Sequence, residues 1–251
     1  MYRLALIGSA LTILLASCSP RPVFRMHPQA EQTSFEQGTE YVQIERNGVI
    51  LTMSYYRHLS DQFVMDVEVV NETDSLLRVD PTQFSYDALK YISQDTSNLP
   101  LISSRRAINP ELQLLEKDLQ IAQTEANQRT GDLLHAIGQT ASIVNYATAD
   151  SQEEREDISQ RSEEASINHE INRQRRAFYK SGLRDQREVW EIDALRKTDL
   201  FPGEYVRGYL FFKNEPDARA YIFYFDSAQA LIELRYLQKR YKKKEGDIIL
   251  Y

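Results

Sequence analysis

Two regions of the chain alternate apolar and polar side chains with the period of two that is typical of half-buried β-strands. The first extends from about Tyr41 to Ile92, and its Asn47-Gly48 step lies between two alternating runs, which predicts a hairpin turn. Its alternating apolar positions are Val49, Leu51, Met53, Tyr55, Phe63, Met65, Val67 and Val69.

The second β region lies far downstream, between Phe201 and Leu237. The segment 200–204 predicts a turn, and the segment 205–212 predicts an aromatic strand. A further hairpin is predicted around Asp226-Ser227-Ala228. Neither region has enough strands to form a core alone, so residues 40–104 and 199–238 are predicted to form one antiparallel β-sandwich.

Residues 105–198 carry a helical pattern instead, and they predict a long helical hairpin inserted into the β-domain. Asn109-Pro110 is a helix start, Asp150-Ser151 is a break with a new start, and Ser181-Gly182 predicts the end of the second helix. The second helix is much more polar than the first. Spacings of three and four in the first helix give a seam of heptad type, at Leu112, Leu115, Leu119, Ala122, Ala126, Leu133, Ala136 and Ala147.

The flanking segments lack either pattern. Residues 18–39 contain Pro20, Pro22 and Pro28 and are predicted to be a tether. Residues 239–251 begin with Lys239-Arg240 and are predicted to be a basic tail, either a solvated charge cluster or a contact with anionic lipid headgroups or cell-wall polymers.

The N-terminus has the three-part layout of an export signal. Arg3 precedes an apolar stretch of about a dozen residues, which is too short to span a bilayer permanently, and small residues follow. Leu15-Ala16-Ser17-Cys18 resembles the lipobox of bacterial lipoproteins. The resemblance implies cleavage after residue 17, thioether attachment of diacylglycerol to Cys18, and acylation of the new amino terminus. Ser19 after the cysteine implies sorting to the outer membrane, facing the periplasm.

Composition narrows the function classes. The formal net charge of −7 argues against nucleic-acid binding, because neutralising phosphates requires a basic face. Cys18 is the sole cysteine, so a lipidated chain can form no internal disulfide. The 15 tyrosines and 10 phenylalanines favour stabilisation by an aromatic core.

Two sequence motifs in the β regions resemble the immunoglobulin-like domains of uncharacterised bacterial lipoproteins. One is the strand 63–70 followed by Asn71-Glu72-Thr73-Asp74, and the other is the turn 200–204 followed by the strand segment 208–212. The resemblance covers less than half of the chain. It implies an α+β protein, an immunoglobulin-like antiparallel β-sandwich with a long inserted helical hairpin, and a binding or assembly role without catalytic residues.

The remaining residues carry no motif that is typical of catalysis. His27 and His58 are isolated, and His135 and His169 could meet across the hairpin, but none has a second ligand at metal-binding spacing. Nucleophile and phosphate-loop motifs are absent from the sequence. We therefore predict a non-enzymatic protein that requires no cofactor or metal.

The leading hypothesis is a lipid-anchored binding or assembly module of the cell envelope, whose helical hairpin pairs with another protein or with a second copy. Two alternatives stay open: an enzyme that acts on envelope glycans through an unrecognised carboxylate pair, and a structural spacer between the outer membrane and the cell wall.

Overall fold

The computed structural model describes residues 22–59, 61–90, 100–244 and 247–250, and confirms an α+β protein with two antiparallel sheets and a long helical hairpin. The chain divides into a β unit, drawn from both of its ends, and a helical unit, Asn109–Ala194. The strands are β1 (Val23–Pro28), β2 (Ser34–Glu36), β3 (Thr39–Arg46), β4 (Val49–His58), β5 (Gln62–Asn71), β6 (Leu77–Val79), β7 (Phe84–Leu89), β8 (Leu101–Arg106), β9 (Thr198–Leu200), β10 (Tyr205–Lys213), β11 (Ala220–Asp226), β12 (Leu231–Lys244) and β13 (Asp247–Leu250).

The strands of the β unit form two main sheets. One has the order β1-β12-β11-β7-β8, with β13 against β12, and the other has the order β10-β5-β4-β3-β2. β6 and β9 form a separate two-stranded sheet. The turn between β3 and β4 is the predicted one, because Asn47 and Gly48 both have positive φ, 53° and 75°, as a tight hairpin turn requires.

Both main sheets contribute to one core. The alternating residues of β4 and β5 are buried together with the inward side chains of β7, β11 and β12. The Tyr236 hydroxyl donates a hydrogen bond to the Met53 carbonyl of the opposite sheet over 2.9 Å, and the rings of Phe63 and Tyr221 lie 5.2 Å apart. The aromatic strand β10 supplies Phe212 to this core, as predicted.

Asn71, at the end of β5, joins segments that are far apart in the sequence. Its fully buried side-chain amide donates to the carbonyls of Ser75 and Leu200, over 2.8 and 2.9 Å, and its oxygen accepts from Thr73. Its backbone NH donates to the Glu204 carbonyl. The two motifs that carried the family resemblance therefore meet at one residue.

Both ends of the helical insertion are held by one strand. The Ile108 NH donates to the Phe211 carbonyl over 2.8 Å, and the Leu195 NH donates to the Tyr209 carbonyl over 2.9 Å. The insertion therefore leaves and re-enters the β unit at neighbouring positions of β10, as an inserted hairpin should.

The helical unit contains α1 (Pro110–Thr148) and α2 (Gln152–Glu188). Both predicted starts are confirmed: the Asn109 side chain accepts from the Glu111 NH, and the Ser151 hydroxyl accepts from the Glu154 NH. No helix within the described ranges is long and apolar enough to cross a membrane.

The prediction that α2 ends at Ser181-Gly182 is wrong. The helix continues to Glu188 and passes into a π-helical turn, Val189–Asp193. A glycine inside a helix costs only about 1 kcal/mol, which the surrounding residues offset.

The predicted tether over 18–39 is wrong from Val23 onward. β1 pairs antiparallel with β12, from Val23 opposite Tyr241 to Pro28 opposite Tyr236, and buries Met26. Pro28 is compatible with this position because an edge strand leaves NH groups on its outer side unpaired. A six-residue strand ending in proline carries too short an alternation to stand out in the sequence.

The predicted basic tail is wrong for the residues up to Lys244, because β12 continues through them. Gln238 is buried and donates to the Ala218 carbonyl over 2.7 Å. The Arg240 guanidinium lies 5.3 Å from the centre of the Phe24 ring. Long charged side chains can cover apolar surface with their stems, which conceals a strand in a basic sequence.

We predict that Asn71→Ala lowers the free energy of unfolding by about 2–4 kcal/mol, because it leaves two carbonyls and the Thr73 donors without their partner in a buried site. Urea unfolding followed by circular dichroism measures the change. Glu72→Gln, at an exposed neighbour, is the control and should stay within about 0.5 kcal/mol of the parent. Equal stability of both variants would contradict the role given to Asn71.

Candidate interaction surface

The two long helices contact each other mainly through polar side chains. The Arg187 guanidinium lies 2.7 Å from an Asp118 oxygen, and the Lys180 ammonium lies 3.3 Å from a Glu125 oxygen. Fourteen residues further along α1, the Gln139 amide donates to the Ser166 hydroxyl over 2.9 Å. The partners on α1 repeat at multiples of seven residues, so these polar contacts form a ladder along one side of the helix.

His135 and His169 meet across the hairpin, as their positions in the sequence allow. The rings of His135 and His169 stack 4.1 Å apart with an interplanar angle of 6°, and His169 Nε2 lies 2.9 Å from an Asp132 oxygen. Parallel stacked imidazoles direct their nitrogen lone pairs in their own planes, which does not suit two ligands of one ion. In the part of the chain that the structure describes, no cluster of three His, Cys, Asp or Glu side chains could hold a metal.

Gly131 of α1 makes room for a further polar contact between the two helices. A Cβ added at Gly131 would lie 2.7 Å from Arg176 Nη1, and this same nitrogen donates to the Asn127 carbonyl over 3.3 Å. Gly131 therefore gives the guanidinium room to cross α1. The helix propensity lost at this glycine is exchanged for room for the Arg176 side chain.

The heptad seam of α1 is exposed to solvent. Leu112, Leu119 and Leu133 are each 62% exposed, and Ile143, which also borders a groove that Ile158 of α2 lines, is 69% exposed. We call this face the outer seam; its positions are Leu112, Leu115, Leu119, Ala122, Ala126, Arg129, Leu133, Ala136, Thr140, Ile143 and Ala147, all of which are exposed.

Helix geometry explains why the seam points outward. The positions of α1 turned toward α2 are half-buried or buried, and they include Leu114, Ile121, Gln128 and His135. The seam positions Leu112, Leu119, Ala126 and Leu133 each precede one of these by two residues. Two residues correspond to about 200° around an α-helix, so the seam lies on the opposite side.

Further apolar residues widen the outer seam toward the C-terminal end of α1. Leu134, Ile137 and Val144 are more than half exposed. A shallow groove of about 440 Å³ lies among Ala136, Ile137, Thr140, Ala141 and Val144. Monomeric proteins rarely expose a continuous apolar stripe of this extent, and such stripes mark interaction sites.

The β unit contains a polar pair that the sequence pattern did not reveal. The Arg207 guanidinium binds both oxygens of Asp66, over 3.0 and 2.6 Å, and this contact raises the pKa of Arg207. Asp66 is 9% exposed. Asp66 and Arg207 are far apart in the sequence, so the pairing of β5 with β10 that brings them together could not be foreseen. Because both carboxylate oxygens of Asp66 bind Arg207, this side chain has a structural role.

The remaining histidines of the β unit are also held by neighbours. His58 Nε2 lies 3.1 Å from the Asn214 oxygen, its ring stacks on Phe24, and burial lowers its pKa. His27 Nδ1 lies 3.4 Å from a Glu40 oxygen. Cys18, the predicted lipidation site, lies outside the described residues.

Comparison with known proteins returned no relative: the chain matches no family model, no curated protein and no solved structure.

We predict that Leu133→Gln changes the free energy of unfolding of the dilute chain by no more than about 0.5 kcal/mol, because this side chain is exposed. Leu183→Ala, at a site 3% exposed on α2, should cost about 2–4 kcal/mol. Thermal unfolding of both variants, followed by circular dichroism at low protein concentration, makes the comparison. A large loss for Leu133→Gln would show that the seam residue is buried within the chain.

Proposed function

We propose that the protein is a lipid-anchored, non-enzymatic binding or assembly module of the cell envelope, held in the outer membrane and facing the periplasm. The observation that carries the proposal is the outer seam of α1. In this hairpin the polar side chains lie between the two helices and many apolar side chains face solvent, so apolar surface stays in contact with water. Burial of apolar surface stabilises by roughly 25 cal/mol per Å², so a matching partner would be bound through this face.

The membrane part of the proposal depends on the lipobox at Leu15-Ala16-Ser17-Cys18. Each buried methylene contributes roughly 0.8 kcal/mol, so two or three acyl chains hold a protein at a membrane almost permanently. Anchoring also restricts which partners the hairpin can reach, because those partners must lie in or near the same membrane.

We also propose a relation to the immunoglobulin-like domains of bacterial lipoproteins. The meeting of the two motif segments at Asn71 and the shared core of two antiparallel sheets support it. The strand order differs in one respect: β3, β4 and β5 are neighbours in one sheet, whereas immunoglobulin domains place their second and third strands in different sheets. The relation therefore stays a prediction.

Replacing the lipid-accepting thiol tests the anchor. We expect Cys18→Ser to move the protein from the membrane fraction to the soluble fraction and to abolish incorporation of labelled palmitate. Thr12→Ser, a change in the apolar stretch that leaves the lipobox intact, is a matched control for general effects on export. Membrane association of Cys18→Ser equal to that of the parent would contradict lipid anchoring.

Photocrosslinking in cells tests the interaction. We expect a photoreactive residue at Leu133, on the outer seam, to give discrete adducts that mass spectrometry identifies. The same residue at Gln160, an exposed polar position of α2, is the control and should give few adducts. Equal adducts from both positions would contradict a specific role of the seam, and adducts with glycan strands alone would favour the envelope-glycan enzyme or the wall spacer.

A further inference from the structure

The side chains of the outer seam vary in size along the helix, and one of them is charged. From this order we propose that the partner of the seam is the outer seam of a second copy, paired antiparallel. The inference rests on the proposed interaction role of the hairpin and specifies it. It follows from three properties of the seam: its length, its order of large and small side chains, and the position of its one charge.

The seam is long enough for a stable two-stranded contact. Its positions repeat from Leu112 to Ala147 with alternating steps of three and four, which is about five heptads. Coiled coils are recognised from three to four heptads upward. At 1.5 Å per residue the contact line would measure roughly 50 Å, more than the span of a typical small-domain helix.

The order of side-chain sizes favours antiparallel pairing. With the helices antiparallel and Ala126 opposite Arg129 of the second copy, Leu119 faces Ala136 and Ala122 faces Leu133, so long side chains meet short ones. At the ends, Leu112 faces Ile143 and Leu115 faces Thr140. A parallel pair in register would instead place Ala122 against Ala122 and Ala126 against Ala126, and these two successive layers of short side chains would fill the space between the helices poorly, which costs stability.

The charge at the centre of the seam favours the same arrangement. In a parallel pair in register, Arg129 would lie directly against Arg129 of the other copy, and like charges at the core of a coiled coil repel. In the antiparallel pair each Arg129 lies opposite Ala126 and beside Glu125 of the other copy. The two arginines are then offset along the axis by about 4.5 Å.

The residues that flank the seam are compatible with self-pairing. On the side nearer α2, Asp118, Glu125 and Asp132 already have basic or histidine partners within the hairpin. On the other side, Ile137 and Val144 extend the apolar surface toward the C-terminal end of α1. Self-pairing through the seam therefore leaves the polar ladder of each hairpin intact while it covers the exposed leucines.

Cysteine crosslinking measures the register directly, since Cys18 is the sole cysteine of the chain. Leu112→Cys and Ile143→Cys would be co-expressed on differently tagged full-length chains and oxidised in the membrane. We expect mostly the mixed disulfide between residues 112 and 143, because only antiparallel pairing brings these positions together. Disulfides between identical variants would overturn the antiparallel register. The parent chain and Gln160→Cys are the controls, and neither should crosslink.

Charge substitution supplies a second readout. Arg129→Glu should weaken self-association by about tenfold or more in the antiparallel pair, because it places a carboxylate beside Glu125 of the other copy. Arg129→Leu should strengthen association. Sedimentation equilibrium of the detergent-solubilised protein, with circular dichroism to confirm that each variant is folded, measures both. An unchanged dissociation constant for Arg129→Glu would contradict this geometry.

The outcomes distinguish the inference from the proposed function. A monomeric protein whose photoreactive Leu133 captures a different envelope protein would overturn self-pairing and leave the interaction role of the seam standing. A monomeric protein without specific seam adducts would overturn both.

Discussion

The hydrogen bonds of Asn71 are the contact on which the β unit depends. They link the end of β5 to Leu200 and Glu204, which follow it in the chain only after the whole helical insertion. β10 begins immediately after this junction and pairs with β5 from Tyr205 opposite Val70 to Lys213 opposite Gln62. Because loop-closure entropy rises slowly with loop length, a long insertion can be accommodated when one dense, buried set of hydrogen bonds fixes its return.

The two helices of the hairpin are held together without a continuous apolar core. Buried Leu114 and Leu183 contribute at one end, while charge pairs, the stacked histidines and the contacts of Gln139 fill the rest of the interface. Exposed ion pairs contribute only about 0–1 kcal/mol each. Such an interface sets the pairing of the helices but supplies modest stability, and the apolar side chains of α1 remain on the opposite face.

The sequence predicted local features well. Asn47-Gly48 marked its turn, the alternation in 63–70 marked β5, and Asn109-Pro110 and Asp150-Ser151 marked the two helix starts, because each depends on residues that are close in the chain. β1 was missed since its only recognition signal is pairing with β12, more than two hundred residues away. The extension of β12 was missed because Gln238 and Arg240 occupy inward positions that a hydrophobic pattern does not register.

The candidate surface was predictable in part for the same reason. Heptad spacing identified the seam of α1, but spacing does not say which face of a helix meets its neighbour. That choice is made by Asp118, Glu125 and Gln139, whose partners lie on α2, and charged residues in a sequence are normally assigned to solvent. An amphipathic helix in a hairpin usually turns its apolar face toward its neighbour, whereas α1 turns its polar ladder toward α2.

The early start of β1 has a mechanical consequence. Val23 is already paired into a sheet, and it is the fifth residue after Cys18. A fully extended chain covers at most about 3.5 Å per residue, so an acylated Cys18 would keep the first strand within roughly 17 Å of its lipid. If Cys18 is acylated as proposed, this short connection would hold neighbouring copies in one thin layer above the bilayer. Encounters between them would then be two-dimensional, and the effective concentration of one copy for another would rise without any additional contact.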